Sequence, residues 1–350
     1  NEVLTPELKA ELERFTSALG RIAGRLDPGD PLSDRSGSDT RSAADLLDTL
    51  SLDPLARALV ERQLRDDYAA DADALSLLFV AALEAVTADQ PDAGVEAFRI
   101  EGGNDGLTRG LARRLARAVD HGAPVERIER RGRRVVAVVG GERVGGDALV
   151  LAAPLPALRA ITFAPALPDR LAEAIRQVGY GSVVKTMVQY RTRFWTPLGW
   201  SGDAVAGPEL PGSTWEATAG QDGRPGILMS YVSGSRAARI GAHDPSDIAA
   251  ATTAAIDALS PDSLKLALRG RSRAVRWSTD PYAGGAYAAF APGQVTRYWR
   301  ALRRPVGRIV LAGEHTDAYT GYMEGAIRSG LRAAQRIAAV HHATRDLRYT

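Results

Sequence analysis

Between Arg308 and Ile337 the chain reads RIVLAGEHTDAYTGYMEGAIRSGLRAAQRI. The apolar run 308–312 has the length and composition of a buried strand. It stops at a polar turn, Gly313-Glu314-His315-Thr316, and a long amphipathic helix starts near residue 323. This order constrains the fold to a strand–turn–helix unit. A helix N-terminus carries about half a positive charge and several unpaired N–H groups, so it suits an anion or an electron-rich ring. Gly321 before the helix, and Gly325 and Gly330 within it, allow close approach to the backbone. Glu314, just past the strand, is placed to accept bonds from sugar hydroxyls. An ordinary βα unit whose glycines serve packing fits the pattern equally well.

The rest of the chain bounds what that unit can belong to. With 350 residues, 45% hydrophobic and 25% charged, there is room for two domains. A formal net charge of +2 implies no strong field for nucleic acid or membrane. Cysteine is absent, which excludes disulfides, thiolate metal sites, a cysteine nucleophile and any cofactor attached through cysteine. None of the five histidines has metal-pair spacing; His341 and His342 read as an exposed pair. No apolar run reaches the ~18 residues of a membrane span. The first residue is Asn1, so a missing leader says little; bacterial cytoplasm and secretion of a processed chain both fit.

Residues 2–94 read as helical. Thr5-Pro6-Glu7 caps a helix whose Leu4, Leu8, Leu12 and Phe15 share a face. Two short helices flank Asp53-Pro54, and 74–86 reads as a buried helix. At Gly94 the pattern changes. VEAFRI is expected as a strand, Gly102-Gly103 as a tight turn, and Asn104 or Asp105 as the cap of a helix with Leu107, Leu111, Leu115 and Val119 on one face. Alternating β-rich runs follow, with hairpin turns expected at Gly140-Gly141 and Gly145-Gly146, then an apolar strand at 148–153. A helix from Asp169, strands at 182–191, 213–218 and 227–233, a helix at 244–259 and a strand near SRAVRWS complete the middle. DPYAGGAYAAFAPGQ, 280–294, is irregular and aromatic, and VTRYWRALR is a short helix.

Two further groups could carry chemistry. In SVVKTMVQY, Lys185 shares a strand face with Val183 and Met187. A lysine there either reaches solvent at a sheet edge or points into a cavity, where its amine would orient a water or tune a cofactor. The aromatic set Trp277, Tyr282, Tyr287, Phe290, Tyr319 and Tyr322 reads as core by default. Tyr287 and Tyr322, beside Gly285 and Gly321, fit core filling poorly. Facing rings of this kind hold an amine by its apolar body and its nitrogen.

Three ordered stretches, LAGEHTDAYTGYMEGAIRSGLRAAQRI, FRIEGGNDGLTRGLARRL and FAPALPDRLAEAIRQVGYGSVVKTMVQYRTRFW, resemble the flavin-containing amine oxidase family of the monoamine and polyamine oxidase type. The likeness runs from about Val95 to Val340, and the helical region 1–94 fits the family's substrate-domain helices. It implies an α/β plus α+β fold. This would be an FAD-binding domain of the two-dinucleotide-binding-domain flavoprotein type, incomplete at the N-terminus, with a mixed-sheet and helical substrate domain. The implied segments are 1–93 (substrate-domain helices), 94–155 (FAD-binding), 156–290 (substrate-domain sheet and helices) and 291–345 (C-terminal FAD-binding). By position, Lys185 matches the lysine that holds a water near flavin N5, and Tyr287 and Tyr322 match the two walls of the aromatic cage. Gly313 and Glu314 would line the ribityl and pyrophosphate region. Gly321, Tyr322 and Met323 would bring the last helix to the pyrimidine end of the flavin, and Val125 would contact adenine through its backbone. Gly102, Gly103 and Trp277 complete the implied cofactor set. Ala286 stands where some relatives carry the cysteine that bonds the flavin, so FAD is expected to be noncovalent.

One departure stands out. The family's opening βαβ unit with Gly-x-Gly-x-x-Gly is nowhere in this sequence. A separate polypeptide, a trimmed sequence, or loss of FAD would each explain it. The expected activity is oxidation of an amine C–N bond by hydride transfer to flavin N5, with O2 as acceptor. Imine, then aldehyde and ammonia, and H2O2 would be the products, and activity would rise with pH near the amine's effective pKa. An L-amino acid oxidase is a second reading; it needs a cation for the carboxylate, for which Arg191, Arg193 and Arg276 are candidates. A non-catalytic subunit is a third. The expected partners are a small amine, O2 and a companion segment carrying the missing unit. A homo-oligomer is compatible, and nucleic acid and membrane are not expected. Trp195, Trp200 and Trp215 are candidates for setting selectivity.

Overall fold

A computed structural model of the chain describes residues 5–88, 98, 100–205, 210–260 and 263–346; at 264, 269 and 340–346 it describes the backbone alone. The N-terminal part is a helical arm. Helix α1, Pro6–Ala23, starts as its sequence dictates: Thr5 Oγ1 accepts the Leu8 N–H at 3.2 Å and Pro6 occupies the first turn. It buries Phe15, Ala18 and Leu19, with Leu8 and Leu12 half-buried beside them. Helix α2, Ala43–Leu50, is held by a reciprocal Ser42–Asp45 capping box, and α3, Pro54–Tyr68, by Asp53. Helix α4, Leu77–Thr87, buries eight of its eleven residues, as the apolar run demands; Ser76 caps it, so it begins three residues later than the run.

The expected strand VEAFRI lies almost wholly outside the described residues. Helix α5, Asp105–Ala112, is shorter than its apolar spacing suggests and buries nothing. Leu111, Leu115 and Val119 are exposed. A short amphipathic helix gains little unless something covers its apolar face, and no described residue does. Strands β1, Val125–Arg131, β2, Arg134–Val139, and β3, Glu142–Gly146, form an antiparallel meander. Gly140-Gly141 makes one turn, both at positive φ. The expected turn at Gly145-Gly146 is corrected: these residues lie inside β3, opposite Val136 and Val135, and Gly145 leaves room for the Arg134 guanidinium. The other turn is at Gly132, φ +58.

Strand β4, Leu149–Leu151, leads to helix α6, Leu155–Leu158; strand β5, Thr162–Ala164, then pairs in parallel with β1, and helix α7, Asp169–Gln177, follows. Next come β6, Gly179–Tyr180, β7, Val183–Tyr190, β8, Ala204–Val205, β9, Ser213–Glu216, and β10, Gly226–Ser233. Helices α8, Gly234–Ile240, α9, Pro245–Leu259, and α10, Ser263–Leu266, precede β11, Ala267–Arg276. The chain closes with β12, Ala288–Ala289, α11, Gln294–Arg303, β13, Ile309–Leu311, and α12, Met323–Asp346.

The large sheet runs β11-β7-β10-β9-β8. Its β7 alternates as the sequence does. Val184, Thr186, Val188 and Tyr190 are buried, and the face with Val184 and Val188 packs with Val232, Ile248, Leu228 and Ile256 under α9. Lys185 and Met187 face the other way. A second, continuous core joins the helical arm to α6, α7, α11, β4 and β13. Strands β4 and β13 pair in parallel, Ile309 opposite Leu149. Strand β13 is buried throughout, Ile309, Val310 and Leu311 alike, whereas in β4 Val150 is 38% exposed, because no other described strand joins the pair. No helix among the described residues is long and apolar enough to cross a membrane.

Candidate active site

The site assembles where the open face of the large sheet meets the end of α3 and the start of α12. Lys185 is on β7, flanked on both sides by strands β11 and β10, so the sheet-edge reading does not hold. Its cross-strand partner in β10 is Tyr231, on the same face. Lys185 Nζ lies 5.5 Å from the Tyr231 ring centroid and 5.8 Å from that of Trp215 on β9. Tyr231 in turn reaches Tyr287: the two hydroxyls are 3.4 Å apart. Tyr231 donates to the Asp66 carbonyl at 3.0 Å, and Tyr287 to the Asp67 carbonyl at 2.9 Å. Burial, followed by the Tyr287 hydroxyl and the Asp66 and Asp67 charges, raises the Tyr231 phenol far above its ordinary range.

Backbone contacts fix where Tyr287 stands. Gly181 N–H donates to the Tyr287 carbonyl at 2.9 Å, and Ala286 N–H to the Gly181 carbonyl at 2.7 Å. A side chain on Gly181 would strike Ala69, which turns left-handed (φ +52) to end α3. Ala286 packs in the same cluster, with Ala69, Val183, Trp215 and Tyr231.

Glu314 ties this wall to the next. It is half-buried; Oε1 accepts the Ala288 N–H at 3.1 Å and Oε2 the Gly321 N–H at 2.8 Å. One carboxylate therefore bridges the residue after Tyr287 and the residue before Tyr322. Burial raises its pKa, against the pull of those two N–H donors and the Tyr180 hydroxyl. Gly321, φ +86, passes so close to the Tyr287 ring that a Cβ would sit 3.4 Å from it. The hydroxyl of buried Tyr68 senses both Tyr287 and Tyr322, although burial is the main reason its pKa is raised. The approaches to β12 and α12 thus meet where Gly321 passes Tyr287.

Gly313, φ +138, lies against the His315 ring, which a side chain at 313 would strike. His315 is buried; Nδ1 is 3.3 Å from the Tyr180 hydroxyl and Nε2 has no partner. Burial pushes its pKa down to about 4. Met323 opens α12 and is exposed. The remaining sequence-derived candidates lie outside the tyrosine cluster. Gly102 and Gly103 form an exposed positive-φ turn before α5, Val125 begins β1 at the surface, and Trp277 follows β11 half-exposed. Sequence reasoning missed Tyr231, Tyr68, Asp66 and Tyr180. It also passed over a signal for Lys185: only Lys9, Lys185 and Lys265 are lysines among the 44 basic residues.

The residues present fit a flavin at this place. Tyr287 and Tyr322 are each partly exposed, and the Gly321 backbone just before Tyr322 passes the Tyr287 ring. Gly313 likewise has side-chain-free backbone, and an unpaired polar atom of His315 is buried beside it.

The family assignment agrees. The chain belongs to the flavin-containing amine oxidoreductases, whose family model matches residues 6–338. FAD is the cofactor of that family. Among curated relatives, a Mycobacterium tuberculosis protein described as a flavin-containing monoamine oxidase, AofH, is 33% identical over 269 residues, 71% of this chain and 54% of the relative. A flavin-containing amine oxidase of Danio rerio is 32% identical over 249 residues, 70% of this chain and 47% of the relative. The chain thus spans about half the length of the curated relatives it matches. Among solved structures, a triple mutant of putrescine oxidase superposes with a TM-score of 0.86 at 25% identity, covering 97% of this chain and 77% of that one. The cyclohexylamine oxidase of Brevibacterium oxydans shares the fold, with a TM-score of 0.83 at 24% identity, covering 98% of this chain and 76% of that one.

Proposed function

We propose that this chain is the larger part of an FAD-dependent amine oxidase, with FAD held noncovalently. The observation that carries the reading is the Lys185–Tyr231–Tyr287 constellation, joined through Glu314 to Gly321-Tyr322. Bound FAD would supply the two-electron oxidant for the amine C–N bond, with O2 as final acceptor, so that amine, O2 and water would become aldehyde, ammonia and H2O2.

The chain's own residues do the positioning. Tyr287 and Tyr322 flank the substrate amine and present ring faces to its nitrogen and apolar body. Lys185 holds a water by its ammonium. No carboxylate among the described residues faces the cage as a strong base, so the amine reacts in its neutral form, already deprotonated. Gly313, Glu314, Gly321 and Met323 face the ribityl and pyrimidine side, and the start of α12 favours the negative charge of the reduced ring. Gly102, Gly103, Val125 and Trp277 serve more distal parts of FAD. Ala286 offers no sulfur for a covalent bond.

The pyrophosphate needs a helix N-terminus that this sequence does not carry in Gly-x-Gly-x-x-Gly form. We assign it to a βαβ unit on a further segment or a companion chain, in a cytoplasmic protein. For the amino-acid oxidase reading, two of the three candidate arginines are committed elsewhere. Arg193 donates to the Thr218, Gln221 and Gly223 carbonyls, and Arg276 to those of Gly241 and His243, on the α9 side of the sheet. The test is the visible spectrum of the purified protein with its βαβ unit, followed by peroxide release from an amine and from its α-carboxylated analogue. Flavin bands and turnover of the amine alone are expected. Preference for the carboxylated analogue would favour the amino-acid oxidase, and protein that stays colourless with added FAD would overturn the oxidase reading.

A further inference from the structure

The tyrosine of β10 has a place in the site that no motif of the sequence assigns. We propose that Tyr231, with Trp215, is a positioning residue: the two rings bracket the Lys185 ammonium, and the Tyr231 hydroxyl ties that bracket to the end of helix α3, which also takes the Tyr287 hydroxyl. The proposal rests on the reading of Lys185 given above.

The geometry builds from the sheet. Antiparallel pairing sets Tyr231 directly opposite Lys185, and Trp215 opposite Met229 one pair along, so all three side chains share a face. The rings of Trp215 and Tyr231 are 5.8 Å apart and tilted by 47°. The ammonium is within about 6 Å of both centroids, the range in which a ring quadrupole attracts a cation. Each phenol has one proton to give. Tyr231 spends it on the Asp66 carbonyl and Tyr287 on the Asp67 carbonyl. These belong to the last turn of α3, whose carbonyls lack helical partners and carry the negative end of the helix dipole.

The sheet holds that turn in place. Ser233 Oγ donates to Asp66 Oδ1 at 2.7 Å, and Ser213 Oγ and an Arg62 nitrogen reach Oδ2 at 2.6 and 2.9 Å. Serines on β9 and β10 thus fix α3, α3 fixes the tyrosine hydroxyls, and the rings fix the lysine. A packed core would need the ring of Tyr231 without its hydroxyl. Among the groups facing Lys185 are Tyr231 from β10 and Trp215 from β9, with Tyr287, Asp66 and Asp67 behind Tyr231; its β11 partner is the apolar Val275.

The lysine count makes this measurable in the full chain without flavin or turnover. Protein labelled with carbon-13 at lysine Cε shows signals from Lys9, Lys185 and Lys265, assigned with Lys9→Arg and Lys265→Arg. Tyr231→Leu and Trp215→Leu should each lower the Lys185 titration midpoint by about 0.4–0.7 of a pH unit, because each removes about 0.5–1 kcal/mol of attraction for the charged form. Tyr231→Phe, which keeps the ring, should leave that midpoint nearly in place. If the leucine variants fail to fold, fluorinated tryptophan weakens the ring's attraction without changing the packing, and should lower the Lys185 midpoint alone. An unchanged Lys185 midpoint in the leucine variants or with fluorinated tryptophan overturns the bracket. An inactive protein whose Lys185 midpoint still responds would sink only the oxidase reading.

Discussion

His315 shows what burial does to a single ionisable side chain here. Its ordinary pKa of 6.5 falls to about 4, from loss of water around the ring. The unfolded chain takes up a proton near pH 6.5 and the folded one resists it until about pH 4. This contribution to stability is therefore complete above pH 6.5 and lost as pH falls toward 4. At pH 5 the loss is about 2 kcal/mol. Glu314 works the other way: its raised pKa makes stability fall as pH rises above its ordinary 4.5. Urea midpoints at pH 7.5 and 5 should drop more for the native protein than for His315→Gln; an equal drop would mean that His315 is not held neutral. The glycines and tyrosines of the cage stood out in sequence as residues ill-suited to plain core. Glu314 did too, although its bonds to Ala288 and Gly321 are backbone contacts that no spacing rule announces.

At the scale of elements, the most connected cap is remote in sequence from the helix it starts. Asp39 is 1% exposed. Its Oδ2 accepts the Thr296 N–H and hydroxyl at 2.8 and 2.6 Å, and its Oδ1 accepts Ser76 Oγ at 2.7 Å. It thereby fastens the helical arm to the start of α11 and the cap of α4. Asp39→Ala leaves those donors buried without an acceptor and should cost about 3 kcal/mol, read as a lower urea midpoint. A change below about 0.5 kcal/mol would show that water replaces the carboxylate. The elements themselves were largely legible. Thr5-Pro6, Asp53-Pro54 and the alternation of β7 each act within a few residues. Gly145-Gly146 misled because a glycine pair inside a strand looks like a turn until its cross-strand neighbour, Arg134, is known.

At the scale of the molecule, apolar side chains gather on one set of elements. Leu111, Leu115, Val119, Val150, Met323, Ile327 and Leu331 are all exposed. We assign these exposed faces to the docking of the proposed βαβ unit. Adding such a unit, taken from the matched relatives, should reduce binding of a hydrophobic dye and raise Tm by several degrees. No change in either would mean that these faces are not its docking surface.

The amino-acid sequence by itself determined the local pieces: the caps, the apolar runs, the strand–turn–helix of 308–337 and the family they resemble. Each depends on neighbours within one or two turns of chain, where propensity and hydrogen-bond geometry act directly. Only the tertiary structure decided that Lys185 faces Tyr231 and Trp215, that the end of α3 orients the tyrosine hydroxyls, and that one carboxylate spans from Ala288 to Gly321. These depend on strand register and on close approach between segments apart in the chain, 26 residues for Ala288 and Glu314 and 220 for Tyr287 and Asp67. Many registers satisfy the same alternation of apolar and polar residues, and packing of the whole selects one of them.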